Sequence, residues 1–210
     1  MNIGILGSGN VGAALGAQWA KAGHKIVFAA RDPQSASVQK AVAAAGANAR
    51  SGTAAEASAA SEILLVATPW AATEIAIAGA GDVTGKIIID ATNPLQDDLS
   101  GLIVGTTTSA GEKVQLLATG ARVVKAFNTI GSNIMDDPSF GSEKALMMYC
   151  GDDAGAKEVV GQLATEIGFD ALDLGPLTMA RVLEPMALLW ISLAYARGLG
   201  RDIAFKLMKR

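Results

Sequence analysis

A short apolar stretch, Asn2–Leu6 (NIGIL), runs directly into Gly7, Gly9 and Gly12 and then into a run of alanines. Few sequence features constrain a fold more. Each glycine meets a separate steric demand where a strand turns into a helix over a pyrophosphate. Gly7 permits the tight turn. Gly9 lets the backbone approach the anion with no Cβ between them. Gly12 lets helix and strand pack closely. Ser8 and Asn10 add side-chain donors, and Val11 completes the loop. The first N–H groups of such a helix are free and lie at the positive end of its dipole. The spacing predicts a phosphate cradle at the head of the chain.

The rest of the chain repeats the strand-then-helix rhythm. Asn2–Leu6, Lys25–Ala29, Glu62–Ala67, Lys86–Asp90, Arg122–Lys125 and Ala145–Cys150 are short continuous apolar runs, as strands covered on both faces should be. Helix-start chemistry lies between them. Asp32-Pro33 reads as an N-cap with proline at the first helical position. Thr53 with Glu56, and Ser109 with Glu112, have capping-box spacing. The alanine-rich stretch Ala41–Ala60 reads as surface helices with small side chains on the sheet. These signals predict an α/β fold, a Rossmann-type doubly wound and mainly parallel sheet. After Gly175-Pro176 the strands stop. A small C-terminal helical extension is expected over residues 176–210, beside a nucleotide-binding domain over 1–175, with Pro185 starting or kinking a helix.

Composition narrows the function. With 210 residues, 50% of them hydrophobic and 18% charged, the chain can bury a substantial core. A net charge of -3 argues against nucleic acid as a partner. One cysteine allows no internal disulfide, and no basic leader precedes the first strand, so a cytoplasmic location is expected. The apolar run Met186–Ala196 is shorter than the roughly 20 residues a bilayer crossing takes, so it reads as a buried core or interface helix and no membrane partner is expected.

The end of the second strand selects the nucleotide. An NAD site places Asp or Glu there for the ribose hydroxyls. This chain has Ala30 and then Arg31, whose guanidinium suits a 2′-phosphate, so NADP(H) is expected. Asp32 is expected to cap the next helix. Ligands of open α/β sheets bind at the carboxyl ends of strands, and three more such ends carry suitable groups. They are Thr68, Pro69 and Trp70; Asp90, Asn93 and Pro94; and Lys125, Ala126, Phe127, Asn128 and Thr129. Asn128 can bond a nicotinamide carboxamide or a substrate carbonyl, and Trp70 can cover a ring. Asn128 and Thr68 are positioning candidates. Lys125 reads either as an acid or base or as a strand-end lysine.

The sole histidine, His24, precedes the second strand and is expected at the surface. Cys150 lacks a histidine to activate it and reads as a packed thiol. No Cys/His cluster suggests a metal. A nucleotide site without an evident proton donor suits hydride transfer to an acceptor with its own electronics, such as a flavin or deazaflavin.

The segments "GSGNVG", "AARDP", "TPW", "KAFNTIGSNIMDDPSFG" and "LEPMALLWISLAYARGLGRDIAFKLMKR" together resemble the NADP oxidoreductases dependent on the deazaflavin coenzyme F-420, over nearly the whole chain. "KAFNT" is also similar to the cytosolic domain of the STEAP metalloreductases, which pass electrons from NADPH to flavin. The resemblance implies NADPH in the glycine loop, with Ser8 and Arg31 matching its phosphate contacts. Ala30 stands where the family usually has serine. The resemblance also implies that Thr68, Pro69, Trp70, Asn93 and Asn128 line the nicotinamide pocket. It implies direct hydride transfer to coenzyme F-420, or to FMN or FAD as a co-substrate, as a small-molecule redox acceptor. It implies a homodimer built partly by the C-terminal helices. The basic end, Arg197, Arg201, Lys206, Lys209 and Arg210, reads as favourable charge at a helix C-terminus.

Overall fold

The computed structural model describes residues 1–210. In chain order its elements are β1 (Asn2–Leu6), α1 (Asn10–Lys21), β2 (Lys25–Ala29), α2 (Ala36–Ala45), β3 (Ala49–Gly52), α3 (Ala54–Ala59), β4 (Ile63–Val66), α4 (Trp70–Ala80), β5 (Ile87–Asp90), α5 (Ala110–Leu117), β6 (Arg122–Lys125), α6 (Ser132–Asp136), β7 (Ser139–Phe140), β8 (Glu143–Lys144), β9 (Leu146–Gly151), α7 (Ala154–Glu166), β10 (Asp170–Asp173) and α8 (Ala180–Ile191). One sheet orders the strands β10-β9-β6-β5-β4-β1-β2-β3, and β7 and β8 form a separate hairpin. Pairing from β3 through β6 is parallel, with Ile3 opposite both Ile26 and Ile63. β9 runs antiparallel to β6 and parallel to β10.

From β1 the chain winds outward through β2 and β3, then returns to β4 on the other flank of β1. The order reverses between β1 and β4, and there the carboxyl ends of the strands open into a crevice. The strands are apolar on both faces because helices cover both. One core cluster includes Ile3, Ile5, Phe28 and Phe127 and gathers α1, α2 and α7 onto the sheet. The other includes Leu6, Leu64, Val66 and Leu183 and gathers α3, α5 and α8 on the opposite face.

Several expectations are corrected. The alanine-rich stretch contains the strand β3 between α2 and α3. Its Ala-Arg-Ser-Gly sequence has little strand propensity, but an edge position beside β2 supplies the pairing. β10 was likewise not anticipated, since Asp170–Asp173 is half-exposed and polar at both ends. Asp32 does not cap α2. Its carboxylate accepts from Gln34 N at 2.9 Å in a local turn, and the helix begins at Ala36. The Thr53–Glu56 capping box is complete. At α5, Ser109 caps Glu112 N, and its hydroxyl donates to the Glu112 carboxylate at 2.8 Å.

Pro185 lies inside α8. With a preceding 3-10 turn and a following π-helical turn, the helical run spans Leu177–Ala196, 20 residues with a mean hydropathy of 1.4. That is long and apolar enough to cross a bilayer, which the shorter run Met186–Ala196 was not. In the fold its inner face packs on α5 and carries the buried Glu184. Beyond Arg197 the chain is not helical. The basic residues there therefore do not sit in a helix's last turn. Arg201 donates to Ser132 Oγ, and Lys206 pairs with Glu143 and Asp170. His24 is buried, not at the surface, with Nε2 2.8 Å from Glu166 Oε2 and Nδ1 3.1 Å from the Met1 amino group.

Candidate functional site

The crevice is floored by main chain. Gly7 leaves β1 with φ +111°, and a Cβ built there would lie 2.5 Å from Ala67 O at the end of β4. Any side chain would push the two loops apart. At Gly12 a Cβ would lie 1.9 Å from Gly7 O, so α1 could not dock on the turn that launches it. Gly9 is different, because a Cβ there would meet nothing within 4 Å. It caps α1 without a side-chain acceptor, and Gly9 and Asn10 are exposed. The start of α1 thus presents free N–H groups to open space, the environment a phosphate requires. Ser8 and Val11 are half-buried beside it, and Gly12 is buried.

Ala30 and Arg31 follow β2 at the rim. Ala30 N donates to Gly52 O at 3.0 Å, which ties the ends of β2 and β3 together, and Arg31 is exposed. On the other side of the reversal, Thr68 Oγ1 lies 3.0 Å from Thr73 Oγ1. Pro69 caps α4, and Trp70 is its first residue. Trp70 packs beside the core and lines a cavity of about 370 Å³ with residues of α4 and α5, including Lys113 and Leu116.

Asn93, Pro94, Ala126 and Asn128 gather at the ends of β5 and β6. Pro94 and Ala126 are buried, and Ala126 N donates to Asp90 O at 3.1 Å. Asn93 Nδ2 donates to Asn128 O at 2.9 Å. Asn128 Nδ2 donates to Asn93 Oδ1 and to Leu183 O, both at 3.1 Å. Asn128 is 5% exposed, and its Oδ1 is buried without a partner. The residue before it, Phe127, has φ +62°. This left-handed conformation sends the Phe127 ring into the core against Trp19 and Phe169. For a non-glycine residue it costs on the order of 1–3 kcal/mol, held by the surrounding packing. Thr129 Oγ1 is a second buried, unpartnered group in this loop.

Near Asn128 lies a buried ionic cluster of which the sequence suggested two members, Asp90 and Lys125, but not the third. Lys125 Nζ contacts Asp90 Oδ2 at 2.9 Å, Thr92 O at 2.6 Å and Glu184 Oε1 at 3.1 Å, and all three charged side chains are sealed from solvent. Asp90 Oδ1 accepts from Thr92 N and Oγ1. Glu184 also accepts from Ala110 N at 2.9 Å and Gly111 N at 3.0 Å, so the surplus negative charge faces the start of α5. Burial pulls the Lys125 ammonium downward, but the Asp90 and Glu184 carboxylates outweigh it and hold its pKa above the ordinary lysine value. Every neighbour of the ammonium is an acceptor oxygen, and the lysine ties β6 to the end of β5 and to α8. Glu184 escaped the sequence reading. Its signal was an acid within the apolar run LEPMALLW, because a buried carboxylate needs a cation or N–H donors.

A second clamp lies further out, where Arg181 Nε donates to Glu112 Oε2 at 2.8 Å. That contact holds the Glu112 carboxyl below its usual range. Cys150 is buried, and burial pushes its thiol up to about 12, so it is a packed thiol. A further cavity, of about 740 Å³, is elsewhere. It lies at the opposite edge of the sheet, among Asn2, Ser61, Lys86 and Arg122, away from the carboxyl ends.

The model for "NADP oxidoreductase coenzyme F420-dependent" matches residues 2–94, from β1 to the loop after β5. The F420-dependent NADP reductase of Methanothermobacter thermautotrophicus is 30% identical over 207 residues, covering 92% of this chain and 89% of that protein. The chain belongs to the F420-dependent NADP oxidoreductase family. Family members are NADP-dependent oxidoreductases, and the crevice is where such a fold holds its nucleotide. A solved structure from Arthrobacter sp. FB24, described as a candidate F420-dependent NADP-reductase, superposes on all of this chain with a TM-score of 0.90 at 30% identity, and the whole of that chain is covered. The metalloreductase STEAP3 of Rattus norvegicus is 29% identical over 188 residues. They make up 89% of this chain, which spans 36% of that relative's length.

Proposed function

We propose that this chain binds NADP(H) in the crevice at the β1–β4 reversal and serves hydride transfer between that nucleotide and a deazaflavin of the coenzyme F420 type. The observation that carries the reading is the open space at Gly9, before an uncapped helix start on the floor where the strand order turns. The bound nucleotide would supply the hydride. The protein's residues would bind and orient it. Gly7, Ser8, Gly9, Asn10, Val11 and Gly12 hold the pyrophosphate. Ala30 and Arg31 face the 2′-phosphate, with Arg31 as the cation. Thr68, Pro69, Trp70, Asn93, Pro94, Ala126 and Asn128 form the nicotinamide end. There, Asn128 Oδ1 would accept from the carboxamide NH₂. Lys125 holds its proton among two hydrogen bonds and the ion pair with Glu184 and takes no part in proton transfer. A reaction run by positioning fits an acceptor whose ring carries its own electronics.

A second acceptor class, FMN or FAD with onward ferric reduction, is favoured by the similarity to STEAP3. One experiment separates the two. NADPH oxidation is followed by absorbance with F420, FMN, FAD or ferric chelate added in turn. Oxidation with the deazaflavin alone supports the first reading. Oxidation with flavin or iron supports the second, and no oxidation with any acceptor refutes both.

The assembly proposed is a cytoplasmic homodimer in which the 176–210 segment closes the pocket and meets its copy. Val182 (54% exposed), Leu189 (49%) and Tyr195 (57%) give that segment an apolar outer face. A monomer in sedimentation at working concentration would refute the dimer.

A further inference from the structure

The buried ionic cluster and the free oxygen of Asn128 are joined through two consecutive residues of α8. The Leu183 carbonyl oxygen accepts from Asn128 Nδ2, and Glu184, next in the chain, is bound by Lys125 and by the first N–H groups of α5. We infer that Glu184 and Lys125 are positioning residues for the nicotinamide carboxamide. They act through Leu183 and Asn128 and touch neither nucleotide nor acceptor. The inference rests on the crevice being an NADP(H) site.

An asparagine amide can present either end. Here both Nδ2 protons are engaged, one by Asn93 Oδ1 and one by Leu183 O. A flipped amide would set its oxygen against two oxygens. The outcome is fixed as long as Leu183 O stays in place, and Oδ1 is then the atom left free, buried and unpartnered. Buried acceptors without partners are uncommon, and this one requires a donor. A carboxamide NH₂ has the right polarity, and a carboxamide oxygen does not. The end of the amide that α8 selects therefore sets the orientation of the nicotinamide substituent, and with it the ring face turned toward the acceptor.

The position of Leu183 O depends on where α8 sits. Glu184 is the point at which the helix is bonded to the ends of β5 and β6 by way of Lys125, and to α5 directly. In Glu184→Gln the amide nitrogen must face either the Lys125 ammonium or a backbone N–H, donor against donor. The helix then loses this register without losing its apolar packing.

The test compares two ligands in the full-length chain. NADPH carries the nicotinamide, whereas 2′,5′-ADP carries the adenosine and the 2′-phosphate without it. Glu184→Gln is expected to weaken NADPH about tenfold, as loss of one buried hydrogen bond does. Binding of 2′,5′-ADP should stay within about twofold, a null effect on the standard of one bond. Asn128→Ala should give the same selective loss, and the double variant should be no weaker than Asn128→Ala alone, because both act on one contact. Arg181→Ala opens the half-exposed outer clamp and leaves the buried charges paired. It should shift NADPH in the same direction by about two- to threefold, and this variant decides the matter if Glu184→Gln does not fold.

Equal weakening of both ligands by Glu184→Gln, no weakening of either, or additivity with Asn128→Ala overturns the inference. So does an Arg181→Ala variant with unchanged NADPH affinity. Failure of the unmodified protein to bind 2′,5′-ADP overturns the reading of the crevice instead.

Discussion

Lys125 Nζ lies 3.1 Å from Glu184 Oε1, and neither side chain reaches solvent beyond 1%. The contact fastens a late helix to a strand in the middle of the sheet. With Asp90 on the other side at 2.9 Å, the lysine is the single cation between two carboxylates. Lys125→Met removes that cation and leaves two buried carboxylates, Asp90 on β5 and Glu184 on α8, with no cation between them. The expected loss of stability is about 3–5 kcal/mol, the usual consequence of breaking a buried ion pair from one side. Chemical denaturation of the purified variant measures it. A loss below about 1 kcal/mol, the scale of an exposed pair, would contradict the geometry.

Alkaline stability follows in the main from two buried groups, with the half-buried Tyr149 phenol, raised by burial, between them. Lys125 keeps its proton in the folded chain above the unfolded lysine value of 10.5. Cys150 keeps its proton up to about 12, against 9.0 unfolded. In both cases the unfolded chain releases a proton first as pH rises. Stability is therefore full below pH 9.0 and falls above it, first through Cys150 and then, past 10.5, through Lys125 as well. Each group contributes a slope of at most about 1.4 kcal/mol per pH unit. Denaturation midpoints across this range test it, and Cys150→Ala should delay the onset to pH 10.0, where the unfolded chain releases the proton of Tyr149, whose phenol burial also pushes up. An onset unchanged in Cys150→Ala would sink the assignment to the thiol.

The glycines of the first loop should separate into two kinds. Gly12→Ala places a methyl 1.9 Å from Gly7 O and should lower stability by about 1–3 kcal/mol or more through overpacking. Gly9→Ala meets open space at an ordinary negative φ of -72°. Its thermal midpoint should be unchanged while NADPH affinity drops at least about tenfold, since the methyl occupies the place of a phosphate. Thermal melts and NADPH titrations of the pair provide the check. A Gly9→Ala protein with native affinity would remove the main support for the cradle.

Arg31 is exposed at the end of β2 and has no protein partner among the hydrogen bonds and ion pairs described above. Arg31→Ala should weaken NADPH by about 10- to 100-fold, the worth of a charge-assisted contact, and leave NADH nearly unchanged. Measured dissociation constants for both nucleotides decide it. If the preference for NADPH does not shrink, the 2′-phosphate is read elsewhere.

Much of this was visible in the residues. The parallel core could be read because its strands are continuous apolar runs, and the cradle because glycine has few substitutes where backbone meets backbone. β3 could not be read that way, since Ala49–Gly52 becomes a strand only through its neighbour. The antiparallel course of β9 was equally hidden, because an apolar run does not encode its direction. At the site, strand-end residues such as Asn93 and Asn128 could be named from order alone. Their mutual bonds, and the selection of Oδ1 by a carbonyl of α8, depend on a helix that the chain reaches far later. Lys125 illustrates the difference. Its residue type left acid, base or strand-end lysine open, and its contacts with Asp90 and Thr92 at the end of β5 and with Glu184 in α8 appear only once the chain is folded.

The backbone contact between Gly7 and Ala67 has a consequence for divergence. Where two halves of a sheet meet main chain to main chain, the shape of the opening between them is written in atoms that every residue shares. Substitution elsewhere can change many side chains without moving that opening, provided Gly7 and Gly12 stay free of a Cβ. A chain with 30% identity to this one superposes at a TM-score of 0.90, and a floor of this kind is one that drift in side chains cannot wear away.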